Sequence, residues 1–182
     1  DGSTADAILD VLPPGARVAV SDVDGTLTSS EWAALGALIT QQPPAAHPGA
    51  PDALWALARR GYHIFYLTAR PEWLDPTTHQ WLNLRGFPPG IVHTTTGATG
   101  AINSAAQQFK VDELRALAQR LGYAPDYGFG NRASDVATYG GIGVNPRNAY
   151  YYQLQGDLGG GQYNGDYRNL VAPFSSLARV CR

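Results

Sequence analysis

The stretch VAVSDVDGTLTSS, residues 18–30, sets an apolar strand directly against two aspartates. Val18, Ala19 and Val20 form the kind of short, β-branched run that fills a buried strand. The run ends at Asp22 and Asp24, one residue apart, with Gly25 and Thr26 behind them. Neighbouring carboxylates repel unless a cation or a hydrogen-bond network compensates their charge. Two readings meet the pattern. The pair opens a polar turn, since Asp-Gly is a common turn dipeptide. Alternatively, it forms a metal-dependent site at the carboxyl end of a sheet strand, where open α/β sheets place their ligands.

Outward from this stretch, strand and helix signals alternate. A strand over 16–21 is followed by a turn-rich segment, 25–50. A helix over PDALWALARRG (51–61) then stops at Gly61. YHIFYLT (62–68) reads as a second strand. PEWLDPTTHQWLNLRG (71–86) reads as a helix whose first turn Pro76 can break. Trp73, Trp81 and Leu84 share a face of that helix and are expected in the core rather than in a membrane-dipping patch. GIVHTTT (90–96) is a third strand. VDELRALAQRLG (111–122) is an amphipathic helix with Lys110 at its head. Strands over 126–130 and 141–144 flank a short helix, ASDVATYG, and NAYYYQL (148–154) is one more strand candidate. The Gly-rich stretch 156–166 reads as a loop, and its GGG lacks the remainder of a phosphate-binding P-loop. The alternation predicts an α/β, doubly wound, Rossmann-like and mostly parallel sheet with helices on both faces. Residues 1–14, ending in Pro-Pro-Gly, read as a linker or a strand from an upstream module, and 15–182 as one domain.

Composition narrows the function. With 182 residues, 44% hydrophobic and 15% charged, the chain is globular, with enough sequence for one sizeable core. A formal net charge of −2 argues against bulk electrostatic binding to nucleic acid or anionic membranes. No run approaches the ~20 apolar residues that span a bilayer, and no signal-peptide pattern is present. The start at Asp1 and the lack of methionine read as a processed or excised part of a longer chain. Cys181, the single cysteine, cannot pair internally, which leaves the compartment open, an extracytoplasmic one included. Lys110 is the one lysine among 13 basic residues, which singles it out.

Four spaced elements bear on the opening question: Asp22-Val23-Asp24-Gly25-Thr26, Thr68 in YLTAR, Lys110, and GFGNRASD (128–135). Each lies at or near a predicted strand end or helix start, and in a doubly wound sheet such ends converge on one crevice. In this order they resemble the haloacid dehalogenase superfamily of phosphohydrolases, over roughly residues 16–153. More narrowly, SDVDGTLTSSE, GYHIFYLTARP and YGFGNRASDVATY are similar to the catalytic domain of lipin-type phosphatidate phosphatases. LTARPEWL, WLNLRGFPPGIV and SDVATYGGIGV are equally similar to the related C-terminal domain of membrane-associated phosphatidylinositol transfer proteins. Those transfer-protein versions lack the leading aspartate and bind rather than hydrolyse. This chain keeps Asp22.

The resemblance implies roles that the chemistry requires. Asp22 is the nucleophile toward phosphorus, through an aspartyl-phosphate. Asp24 protonates the leaving alkoxide and then deprotonates water. Mg²⁺, which suits an all-oxygen site, is held by Asp22, the main-chain carbonyl of Asp24, Asn131 and Asp135. Thr68 offers a hydroxyl to the phosphoryl group, and Lys110 a point charge. Gly25, Thr26 and Ala69 stand against the substrate. Arg70 and Arg132 either grip a phosphate or head group or form structural ion pairs. His47 falls where lipins carry a histidine before a helix; a helix-start role outweighs a catalytic one. His63, His79 and His93 have no metal-ligand spacing.

Superfamily members often carry an inserted cap over the site. Here the intervals 27–50 and 94–109 hold room for a flap but not a domain, so a capless, open site is expected. The reading is a Mg²⁺-dependent phosphatase for phosphatidate or a related phospholipid, with peripheral membrane contact through flap residues such as Trp32 or Leu35. A non-catalytic phosphatidate-binding module and a phosphatase for soluble esters are the alternatives.

Overall fold

In a computed structural model, which describes residues 2, 11–29, 43–96 and 104–180, the run around Val18 becomes a strand, β1 (Arg17–Asp22). It is followed by α1 (Ala50–Ala58), β2 (Tyr62–Pro71), α2 (Asp75–Leu84), β3 (Gly90–Thr95) and α3 (Ser104–Leu121). Then come β4 (Tyr127–Gly130), α4 (Ala133–Gly141), β5 (Ala149–Tyr152), β6 (Gln162–Asn164) and α5 (Arg168–Ser175). The strands form one sheet in the order β3-β2-β1-β4-β5-β6, with every neighbouring pair parallel. This is the doubly wound order expected from the alternation, and its switch point lies between β1 and β4.

Side chains alternate across the sheet, so each strand feeds two cores. Ala19, Ile64, Tyr66, Tyr127 and Phe129 pack with Leu54 and Leu57 of α1, Trp81 of α2 and Phe174 of α5. Val18, Val20, Phe65 and Leu67 pack with Leu114 and Leu117 of α3 and Tyr139 of α4. Asp22 has the parity of Val18 and Val20, and it therefore leaves β1 on the α3 side, where Lys110 lies. Tyr66 is fully buried, and its hydroxyl donates to Pro88 O at 2.7 Å, so the core carries no orphan there.

Four sequence expectations need correction. Residues 141–144 are not a strand. Ile142 N–H and Val144 N–H donate to Thr138 O and Tyr139 O and close α4, with Gly143 in the left-handed region at φ 82°. Lys110 is not at a helix head, because SAAQQFK contains no breaker and α3 begins at Ser104. Trp73 and Leu84 do not share a buried face with Trp81. α2 starts at Asp75 with Pro76 in its first turn, and Trp73 belongs to a separate 3-10 turn, Glu72–Leu74; Trp73 is 56% exposed and Leu84 64%, against 4% for Trp81. Finally, the expected loop 156–166 contains β6, and α5 follows it.

The segment after β1 leaves and returns at one place. Thr28 bridges Ala46, Ser29 N–H donates to Ala45 O at 2.9 Å, and His47 N–H to Leu27 O at 2.8 Å. The expected flap with Trp32 and Leu35 lies outside the described residues, as do Cys181 and most of the 1–14 segment.

Candidate active site

The carboxyl end of β1 turns sharply after Asp22. Leu27 and Thr28 N–H both return to Val23 O, at 2.9 and 3.2 Å, and Gly25 takes φ 78°, a conformation glycine adopts without strain. This tight loop folds the two aspartates to different sides of the crevice.

Asp22 faces α3 and is 4% exposed. Lys110 donates from Nζ to Asp22 Oδ1 at 2.7 Å and to Asp135 Oδ1 at 2.9 Å. One ammonium thus joins carboxylates 113 positions apart in sequence. Asp135 is fixed from the other side: its Oδ2 accepts the main-chain N–H of Asn131 and Arg132, both at 3.0 Å. These are the amides of the N-cap residue of α4 and the residue before it, and Asp135, in the first turn, stands where the helix start favours an anion. The Thr26 hydroxyl lies 2.9 Å from Asp22 Oδ2 and 3.0 Å from Asn131 Oδ1. Burial pushes the Asp22 carboxyl up to about 6; Lys110 offsets part of this, while Asp135 and Asp24 add to it. Burial opposes the Lys110 charge too, but Asp135 and Asp22 outweigh it and hold the ammonium protonated.

Asp24 turns the other way, toward β2. Thr68 Oγ1 donates to its Oδ2 at 3.0 Å. Arg70 donates from Nη2 to Oδ1 at 2.7 Å and from Nε to Oδ2 at 3.0 Å. The remaining Nη1 donates to Thr78 Oγ1 at 3.1 Å, and Arg70 is 7% exposed. Of the two readings of Arg70, the ion pair is the one present. Ala69, between Thr68 and Arg70, is half-buried. Arg132 is exposed and reaches the site through its main-chain N–H.

The donor set fits a hard cation. Among the described residues no three His, Cys, Asp or Glu gather at one point. Two carboxylates, Asp22 and Asp135, meet at Lys110, with the Asn131 amide linked to Asp22 through Thr26. Two carboxylates completed by neutral oxygens and water are what Mg²⁺ accepts. Beside the loop opens a cleft of about 250 Å³ lined by Gly25, Ser29, His47, Asn131 and Tyr152 among others, with no Asp, Glu, Lys or Arg among its described residues. A larger cleft, about 370 Å³, lies at the far end of α3 around Gly122 and holds none of these groups.

Sequence reading under-weighted two side chains. His47 does start α1, Ala50 N–H donating to its carbonyl at 3.1 Å, but its ring also meets Gly25 O at 3.1 Å. The Tyr167 hydroxyl donates to Thr26 O at 3.0 Å. No local pattern marks Tyr167, which comes 141 residues after its partner.

A family model described as the PITM 1–3 LNS2 domain matches residues 19–153. The chain belongs to the LNS2 domain family. This LNS2 domain is 29% identical over 150 residues to membrane-associated phosphatidylinositol transfer protein 1 of Rattus norvegicus, covering 82% of the chain and 11% of that protein. It is 25% identical over 144 residues to protein retinal degeneration B of Drosophila melanogaster, covering 79% and 11%. It therefore spans about a tenth of the length of these relatives. Its fold is that of haloacid dehalogenase-like proteins. A putative phosphatase of that class from Mesorhizobium loti superposes with a TM-score of 0.63 at 15% identity, over 97% of this chain and 94% of the other. A putative β-phosphoglucomutase from Thermotoga maritima gives 0.60 at 13%, over 88% and 100%.

Proposed function

We propose that this LNS2 domain is a Mg²⁺-dependent phosphomonoesterase acting through an aspartyl-phosphate on phosphatidate or a related phospholipid. The observation that carries the reading is the buried Asp22 carboxylate, bound to the same ammonium as Asp135. A binding module would have no need for a desolvated carboxylate facing an incoming anionic phosphate. Mg²⁺, when held by Asp22, the Asp24 carbonyl, Asn131 and Asp135, supplies the charge that allows two anions to meet.

The residues then divide the work. An Asp22 oxygen attacks phosphorus while the bond to the alkoxide breaks, and Lys110 balances the charge gathering on the phosphoryl oxygens. The departing oxygen takes a proton from Asp24. In the second step Asp24 accepts a proton from water as that water attacks phosphorus, and the bond to Asp22 breaks to release phosphate. Thr68 and Arg70 hold Asp24 for this exchange. Among the described residues the lining of the neighbouring cleft carries no Lys or Arg, and Lys110 and the metal are the charges proposed to meet the phosphate.

A second reading has its own observation. The Rattus norvegicus relative is named as a transfer protein, and Asp24 is locked to Arg70, which fits a domain that holds phosphatidate without cleaving it. Phosphate release is to be followed from phosphatidate vesicles and from a panel of soluble esters, with Asp22→Asn as control. Mg²⁺-dependent release from the vesicles supports the proposal. Binding without release supports the second reading, and release from soluble esters alone moves the substrate assignment to small phosphates.

A further inference from the structure

We infer that Tyr167 and His47 are positioning residues for the nucleophile loop, holding Asp24 and Thr26 in register with the metal site. The inference rests on the reading above and extends it to residues that no motif includes. The loop's N–H groups at Leu27 and Thr28 are satisfied within the loop, by Val23 O. The carbonyls of Gly25 and Thr26 are instead met by distant side chains. His47 Nε2 lies 3.1 Å from Gly25 O, and since a carbonyl only accepts, this nitrogen carries the proton. Tyr167 OH donates to Thr26 O at 3.0 Å.

Both rings lean on a third. Tyr152, the last residue of β5, lies 3.9 Å from the His47 ring and 5.3 Å from the Tyr167 ring, the latter at 14° between planes. Gln153 N–H donates to Asn164 O at 2.8 Å and ties that residue to β6. The stack thus runs from the start of α1, through the end of β5, to the residue before α5. Packing alone does not explain the hydroxyl of Tyr167. The residue is 0% exposed, and a phenylalanine would fill the same space without a polar atom to satisfy. What the hydroxyl adds is a fixed position for the Thr26 main chain, whose side chain sits against Asp22 Oδ2 and Asn131 Oδ1. Tyr167 lies past the family match, which ends at residue 153, so the C-terminal segment completes the site.

Tyr167→Phe keeps the ring and removes one hydrogen bond. It is to be compared with His47→Leu, with His47→Gln, whose amide keeps a donor, and with the exposed Tyr163→Phe as control. The measurements are Mg²⁺ affinity by calorimetry with Mg²⁺ alone, kcat and KM for p-nitrophenyl phosphate, and Tm. Tyr167→Phe and His47→Leu should each weaken Mg²⁺ binding and lower kcat about 3–10-fold, the worth of one buried hydrogen bond, at unchanged KM. His47→Gln should recover most of the loss, and Tyr163→Phe should match wild type. Unchanged Mg²⁺ affinity and kcat in Tyr167→Phe would overturn the inference, as would losses that only track a falling Tm. If the wild-type domain hydrolyses no ester, the phosphatase reading fails alone, and the Mg²⁺ isotherms still decide the positioning role. A wild-type domain that binds no Mg²⁺ overturns both.

Discussion

Replacing Asp22 by asparagine separates two effects that the carboxylate combines. An amide is a poor nucleophile, so turnover should fall by roughly 10³-fold or more, read as phosphate release. Stability should move the other way. The folded state holds the Asp22 proton up to about 6, whereas an ordinary aspartate releases it near 3.8. That contribution is fully present below about pH 4 and is lost as pH rises through about 6. In EDTA at pH 7.5, Asp22→Asn should therefore be more stable than wild type by about 1–2 kcal/mol, and at pH 4 no more stable, by denaturant titration. Mg²⁺ should close the gap by stabilising wild type alone. A wild-type advantage at pH 7.5 in EDTA would mean that the Lys110 ion pair outweighs the desolvation of Asp22. At Asp24 the expected effect depends on the leaving group. Asp24→Asn should cost an alkyl phosphate about 10²-fold or more, and p-nitrophenyl phosphate much less in its first step, because nitrophenolate departs unprotonated. A burst of nitrophenol followed by stalled, phosphorylated protein is the signature; equal losses on both esters would remove Asp24 as the acid.

Between β4 and α4, one glycine sets how closely strand and helix approach. A Cβ at Gly130 would fall 2.5 Å from Asp135 Cβ and 2.8 Å from its Oδ2, so no side chain fits while the carboxylate keeps its place. Gly130→Ala should cost about 1–3 kcal/mol and weaken Mg²⁺ binding by pushing Asp135 off Lys110, read by thermal melts and calorimetry. Intact Mg²⁺ affinity would show that Asp135 is dispensable to the metal. This dependence was only partly legible in the sequence. Strong periodicity marked β1, β2, α1 and α3, and the motif order placed Asp22, Thr68, Lys110 and Asp135 where the sheet brings them together. Gly-Ile-Gly-Val (141–144) reads as a strand but closes a helix, and that closure depends on backbone hydrogen bonds from Ile142 and Val144 to Thr138 and Tyr139. Three-residue β6 carries too little pattern to stand out from its loop. Arg70 was ambiguous because its choice between Asp24 and a ligand depends on Thr78, which approaches only when α2 packs.

At the scale of the whole molecule, the proposed substrate raises the question of how a domain of net charge −2 would meet an anionic lipid. No described helix is long and apolar enough to cross a membrane. Polybasic segments contribute about 1 kcal/mol per Lys or Arg toward anionic membranes, and no such segment is present. Two cations at the site are already committed, Lys110 shared by two aspartates and Arg70 held by Asp24, while the side chain of Arg132 is exposed beside them. On the proposed reading, attraction comes from the metal, the phosphate it would meet and Arg132, with help from apolar groups at the rim. Trp73, 56% exposed and three residues past Arg70 at the carboxyl end of β2, is placed for that contact, and an indole suits the interface between head groups and chains. The domain alone should bind phosphatidate vesicles weakly, only with Mg²⁺, and should ignore phosphatidylcholine vesicles, as followed by co-sedimentation. Trp73→Ala should lower vesicle affinity severalfold while leaving p-nitrophenyl phosphate hydrolysis at the wild-type rate. Tight binding to any anionic vesicle in EDTA would contradict this picture, because it would require a basic or apolar surface separate from the crevice.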